Sequence, residues 1–255
     1  MLSIILSPAK QFRAADFSPV PCTAPRFEDR ALVLRDWLRS LPYDRVKALW
    51  GVSDKLGQAA WADLHADWTP GRQGAAVLSY DGIQYKYMAP DVFSDRANTY
   101  IDRHLRILSG LFGLLRPFDR VAPYRLEMGA RIDLAGCRSL YAYWGSALAD
   151  ALEGDCVVDL ASAEYSRAVL PHLGKRPHVT CIFAERRGGR LIEKGVYVKM
   201  ARGRMVSFLA EQQIEDPMDM RFFDDPGFAY HPELSDASRL VFVKKPADRR
   251  PAFEF

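Results

Sequence analysis

The chain has 255 residues, 49% of them hydrophobic and 26% charged, with a formal net charge of +3. Such a composition belongs to a globular chain with a sizeable core and excludes a disordered or fibrous one. The charge is too small for a global basic field, so any polyanion site has to come from local clustering.

Leu2–Leu6 is a short apolar run closed by Ser7-Pro8, the pattern of a buried strand. Phe12–Pro25 reads as a polar, proline-bearing loop. Arg26–Leu41 has apolar residues at helical spacing and stops at Pro42, and Asp44–Trp50 and Asp54–Leu64 form two short helices around Gly51-Val52-Ser53. Ala75–Tyr80 is expected to be a strand, Asn98–Leu108 a helix, and Ser109–Leu115 a strand or tight glycine passage. Leu140–Leu152 is expected to be a helix capped by Ser139, and Cys156–Leu160 a strand followed by a helix from Ser162 through Val169. Val179–Glu185 and Arg190–Val198 should form a hairpin across Arg186-Arg-Gly-Gly189, followed by a helix over Lys199–Glu211 and a last strand at Leu240–Lys244. Helices and strands alternate without repeat or linker, which gives a mixed α/β (α+β) fold: one compact domain over 1–255 with a central mixed sheet and flanking helices.

Neither a transmembrane span nor a signal peptide is expected, so the chain reads as cytoplasmic. Cys22, Cys137, Cys156 and Cys181 are scattered, and His65, His104, His172, His178 and His231 have no ligand spacing, so neither a metal nor another cofactor is expected.

The residues that ordinary folding needs do not explain lie in His104–Gly129, where Arg106, Arg116, Arg120 and Arg125 stand among glycines, prolines and large apolar residues. A buried arginine has to meet a carboxylate, a phosphate or carbonyls. The block therefore suggests an anion pocket, or else an internal network with Asp119 and Glu127. Lys10 follows the first strand, where mixed sheets often place functional groups. Around Gly51–Ser53 the helical pair resembles a helix-hairpin-helix, with backbone N–H groups and Lys55 available to a phosphate, although Ser53 replaces a glycine and Asp54 repels one. Ser162 is placed to cap a helix with Glu164 in its first turn, and Glu164 or Glu127 could move a proton. Lys199 and Arg202 share a helix face, and Gly203 hints at close approach by another backbone or a ligand.

Taken in order, Leu6-Ser-Pro-Ala-Lys10, Leu105-Arg-Ile-Leu-Ser-Gly-Leu-Phe-Gly-Leu-Leu-Arg-Pro117, Pro123-Tyr-Arg-Leu-Glu-Met-Gly129, Tyr143-Trp-Gly145, Leu160-Ala-Ser-Ala-Glu-Tyr165 and Ala201-Arg-Gly203 resemble the motifs of the YaaA family of peroxide stress proteins. Lys10, Arg106, Arg116, Arg125, Glu127, Glu164 and Arg202 fall on those motifs. Where the family has a lysine pair before Ala-Arg-Gly, this chain keeps Lys199 and carries Met200, and Tyr80–Tyr87 departs from the family's usual segment. The resemblance implies an unusual mixed α/β fold, a role in peroxide resistance and in limiting harmful iron, and a helix-hairpin-helix and positive cleft that bind double-stranded DNA. On that expectation Lys10, Gly51, Ser53, Lys55, Arg106, Arg116, Arg125, Lys199 and Arg202 hold DNA or another anion without reading sequence. The alternative is an enzyme on a small phosphorylated, carboxylated or nucleotide-like substrate, with Glu127, Glu164 and Lys10 as catalytic candidates.

Overall fold

A computed structural model of the protein describes residues 1–13 and 18–245. Its centre is an eight-stranded sheet made of β1 (Leu2–Leu6), β2 (Leu105–Ser109), β3 (Gly113–Leu115), β4 (Cys156–Asp159), β5 (His178–Arg187), β6 (Arg190–Ile192), β7 (Phe228–Tyr230) and β8 (Arg239–Lys244). The strand order is β7-β8-β5-β4-β1-β2-β3, with β6 paired to the outer end of β5. β8, β5, β4, β1 and β2 run parallel, and antiparallel partners β7 and β3 close the two edges. Every residue of β1 and β2 is buried, as a parallel strand covered on both faces requires.

Around the sheet lie α1 (Glu28–Ser40), α2 (Tyr43–Trp50), α3 (Asp54–His65), α4 (Ile83–Met88), α5 (Asp95–His104) and α6 (Gly195–Gln212). α6 lies against α4 so closely that a Cβ on Gly203 would stand 2.1 Å from the Gln84 carbonyl oxygen and 2.8 Å from the Met88 nitrogen. The Ser207 hydroxyl donates to the Met88 carbonyl at 2.5 Å one turn on. Gly203 therefore admits another backbone, which is why an otherwise weak helix former sits in mid-helix.

Several expected boundaries differ. The helix expected over Asn98–Leu108 ends at His104, and the chain passes directly into β2 with Ile4 opposite Leu105. Ile101, Leu105 and Leu108 fit helical spacing, yet the last two are buried from both sides in a sheet, a case that periodicity alone does not resolve. Ala75–Tyr80 is not one strand: Gly74–Ala75 and Tyr80–Asp81 are two-residue strands, paired with Arg120–Val121 and Gln11–Phe12, on either side of a helical turn Ala76–Ser79. All four residues of that turn are buried, so the apolar run carried no alternation to read.

The expected helix Leu140–Leu152 breaks at Gly145, whose φ of 53° and ψ of −135° end the first segment, leaving Leu140–Trp144 and Ala147–Asp150. Ser139 caps the first of these, its hydroxyl accepting the Ala142 N–H at 3.2 Å. The helix after Ser162 covers only Ala163–Ser166. The hairpin forms across Gly188 and Gly189, both at positive φ, but its second strand stops at Ile192 and α6 starts earlier than expected, at Gly195. Of the loop expected over Phe12–Pro25, positions 14–17 lie outside the described residues; Phe12 pairs with Tyr80 and Thr23 bridges to Asp119.

Candidate functional site

β1 lies between β2 and β4, so the chain leaves it towards one neighbour and later returns on its other side. At such a switch point the loops after parallel strands diverge and leave a crevice beyond the strand ends. Here the crevice lies between Ser7–Gln11, after β1, and Ser162–Tyr165, after β4. The two loops are tied together: the Ser162 N–H donates to the Ser7 hydroxyl oxygen at 2.8 Å, and that hydroxyl reaches Ser162 Oγ at 3.2 Å. Ser162 is thus not a side-chain helix cap, because its position is set by the neighbouring loop instead. Asp159 fixes the turn between them, accepting the Ala161 N–H at 2.9 Å and the Ser166 hydroxyl at 2.7 Å. α4 closes the third side, since Gln84 Nε2 and the Tyr85 hydroxyl both donate to the Ser7 carbonyl at 3.0 Å.

The cavity has a volume of about 510 Å³. Lys10, Arg125, Lys199 and Arg202 bring positive charge to it, and Asp81, Glu127 and Glu164 bring negative. Lys199 and Arg202 come from one face of α6, as their spacing foretold. Lys10 Nζ stands 2.7 Å from Glu127 Oε1, Arg125 Nη2 is 3.8 Å from the same oxygen, and Gly129 N–H donates to Glu164 Oε1 at 2.8 Å. Asp81 is neutralised by Lys86 at 3.2 Å. Arg202 is 12% exposed, and the carboxylate within ion-pair distance of it, Glu193, is 3.9 Å away. Burial pulls the Arg202 guanidinium below its ordinary pKa, and the nearby Asp159 partly restores it. Neither Arg125 Nε nor Arg202 Nε has a protein partner.

Tyrosines form the remaining wall. The Tyr124 hydroxyl joins Tyr80 at 2.9 Å and Ser109 at 2.7 Å, and burial pushes its pKa up to about 12. Burial likewise raises Tyr85 and Tyr165, so these hydroxyls stay protonated near neutral pH and act as hydrogen-bonding walls. A smaller hollow of about 270 Å³ adjoins the cavity and shares Arg125, Glu127 and Glu164 with it, adding Leu49 and Trp50 of α2, and Gly129 and Ala130.

Of the residues expected at an anion site, Lys10, Arg125, Lys199 and Arg202 converge, together with Glu127 and Glu164. Arg106 and Arg116 do not join them. Arg106 is the second residue of β2 and Arg116 follows β3, which runs back antiparallel, so both stand beside the start of β2 and outside the cavity lining. They line a separate hollow with Asp102, Asp119 and Glu153, where they are internally satisfied. Arg106 Nη1 donates to the carbonyls of Asp102 at 3.0 Å and Leu105 at 2.7 Å, and Arg116 Nη2 meets Asp102 at 2.7 Å. Asp119 accepts the Arg116 backbone N–H at 2.8 Å and the Thr23 hydroxyl at 2.6 Å. The arginine block is therefore split: its early members stabilise the fold, and Arg125 reaches the cavity.

Gly51, Ser53 and Lys55 also lie outside the cavity lining, although Trp50 just before them borders the smaller hollow. Gly51 turns the chain at a φ of 60°, and Ser53 makes no side-chain cap. The first residue of α3, Asp54, is held by Lys47 at 2.8 Å and by Tyr43 at 3.0 Å, and the Lys47 hydrogen bond keeps its carboxyl below the usual range. A carboxylate thus stands at the helix start that a phosphate would approach. Sequence reasoning did not assign Ser7, Gln84, Tyr85, Tyr124, Tyr165 or Trp50 to the site. Ser7, Tyr124 and Tyr165 sit inside the family motifs, close to Lys10, Arg125 and Glu164, which was the available signal.

With this arrangement in place, the chain can be set beside known proteins. Residues 2–234 match the family described as peroxide stress protein YaaA. A UPF0246 protein of Desulfitobacterium hafniense is 44% identical over 251 residues, covering 97% of this chain and all of the relative. UPF0246 proteins of Lacticaseibacillus casei and Agathobacter rectalis are 42% and 39% identical, each over 96% of this chain and 100% and 99% of the relative. The chain belongs to the YaaA family of peroxide stress proteins, whose relatives here carry the designation UPF0246.

Proposed function

We propose that the protein serves its family's role by binding a small anion, a phosphate or carboxylate ester or salt, in the cavity beyond β1 and β4. The observation that carries this reading is the poor internal neutralisation of the cavity arginines. Arg125 and Arg202 are largely buried, yet their nearest carboxylates stand 3.8 and 3.9 Å away. By contrast, Arg204 meets Asp225 and Arg116 meets Asp102 at 2.8 and 2.7 Å; outside the cavity Arg35 is also loosely paired, 3.7 Å from Asp36, but its guanidinium lies over the Trp68 ring. A guanidinium removed from water without a close partner is costly, and an anionic ligand offsets that cost. Glu127 and Glu164 stand on the same cavity and can take or give a proton at a bound molecule, so a chemical step on the ligand fits the site.

Sequence-neutral duplex binding that limits iron-dependent damage is a second reading, supported by the glycine-turned α2–α3 pair next to the site and by the exposed Lys55. Asp54 at the start of α3 weighs against it.

One set of titrations decides between them. Inorganic phosphate and simple organic phosphates should stabilise the protein saturably, and Arg202→Gln should weaken that binding by about tenfold or more, the worth of one charge-assisted contact. If duplex binding dominates, affinity should fall by roughly 0.9 log units per log unit of salt for each phosphate neutralised, and Lys55→Glu should reduce it. No saturable anion binding, together with a steep salt slope lost in Lys55→Glu, would refute the small-anion reading.

A further inference from the structure

The two adjoining hollows, which share Arg125, Glu127 and Glu164, differ in the charge of their other lining residues, a difference that a simple anion does not use. The residues lining the larger cavity alone include Lys199 and Arg202, with Asp81 already paired to Lys86 and Lys10 to Glu127. In the smaller one, the charged lining is Arg125 with the two carboxylates Glu127 and Glu164, and the remainder is Leu49, Trp50, Gly129 and Ala130. The first compartment thus suits a negative group. The second carries no excess of positive charge, and offers carboxylate acceptors beside an indole and an apolar floor.

Polar satisfaction points the same way. Among the described residues, buried side-chain nitrogens without a protein partner are Arg35 Nε, Trp50 Nε1, Arg125 Nε and Arg202 Nε, and the last three belong to residues lining this one composite site. Trp50 is 6% exposed. Buried donors normally find a partner in the protein, and small side-chain rotations are common when a ligand arrives. Three uncompensated donors around adjoining hollows fit a ligand that supplies acceptors along its whole length.

Resting on the small-anion reading, we propose that the ligand is bipolar: an anionic group held by Lys199 and Arg202 in the larger cavity, joined to a planar nitrogen ring seated in the smaller one. The ring would present N–H donors to Glu127 and Glu164 and an acceptor or its π-face to Trp50. A nucleoside monophosphate is the simplest compound with this chemistry. The combined volumes, about 510 and 270 Å³, give the phosphate-sugar part and the ring separate space.

The test compares inorganic phosphate, ribose 5-phosphate and the common nucleoside monophosphates by calorimetric titration of the full chain. At least one nucleotide should bind about tenfold more tightly than ribose 5-phosphate, a factor typical of one stacked, hydrogen-bonded base. Trp50→Phe, which keeps a ring but deletes the N–H, and Glu164→Gln, which deletes the charge, should each lower that nucleotide-to-ribose-phosphate ratio by about threefold or more. The Gln variant sits at the cavity rim, so it answers the question even if the buried Trp50 variant folds poorly. Phosphate and ribose 5-phosphate binding as tightly as every nucleotide would overturn the proposal while leaving the anion site standing. A nucleotide preference unchanged in both variants would overturn it too. Absence of binding by any of these anions would remove the underlying reading and this inference with it.

Discussion

Gly203 shows how much one residue decides here. Its hydrogen lies where a methyl group would meet the Gln84 carbonyl oxygen at 2.1 Å, and backbone cannot swing aside as a flexible side chain can. Gly203→Ala should therefore destabilise the protein by about 3 kcal/mol, the upper range for overpacking, and lower the melting temperature by roughly 6–12 °C. Gln84 and Tyr85 hold the Ser7 carbonyl, so the same substitution should also weaken anion binding, whereas Arg202→Gln should weaken binding without a comparable thermal loss. Thermal melts with and without phosphate separate the two effects. The sequence indicated a close approach at Gly203; only the packing of α6 on α4 identified the partner.

At the scale of an element, β4 and the turn after it position half of the site through Asp159. Burial raises the Asp159 carboxyl above its ordinary pKa, with hydrogen bonds from Ser166 and Ala161 opposing that shift. A carboxyl with a raised native pKa favours the folded state while protonated, and its ionisation costs stability as pH rises through the native value. Asp159→Asn keeps an acceptor for Ala161 and Ser166 but cannot ionise. Its stability relative to the parent should therefore grow as pH rises from about 4, where an unperturbed aspartate ionises, towards neutrality. Denaturant unfolding of both proteins across that interval checks it; a constant difference would show that Asp159 does not titrate there.

The element boundaries teach a related lesson. Leu2–Leu6 and Leu240–Lys244 were legible as strands because polar or turn residues frame them. The junction of α5 and β2 was not, since Ile101, Leu105 and Leu108 satisfy helical spacing while the last two belong to a strand covered on both faces. Helical periodicity and full burial produce the same letters over so short a stretch.

Across the whole molecule, the sheet separates two arginine-bearing hollows that are continuous in sequence. Arg106→Ala should cost about 2–4 kcal/mol, because it leaves the Asp102 and Leu105 carbonyls without their donor and opens a gap beside β2. It should leave phosphate affinity within about twofold of the parent, since the two hollows share no lining residue and independent sites add without coupling. Loss of anion binding in a stably folded Arg106→Ala protein would contradict the assignment of this residue to the fold. The exposed Arg116–Asp102 pair should contribute about 1 kcal/mol or less.

By itself the sequence determined the element types with clear punctuation, the mixed α/β class, the family, and six charged residues that line one cavity: Lys10, Arg125, Glu127, Glu164, Lys199 and Arg202. Local spacing carries that information, because caps, turns and apolar periods act within a few residues. Tertiary structure alone decided which arginines meet. The antiparallel return of β3 after β2 brings Arg106 and Arg116 together beside the start of β2, while the reversal of strand order at β1 gathers five distant segments around the cavity. Strand direction and order are set by long-range pairing, and no short window of sequence contains them.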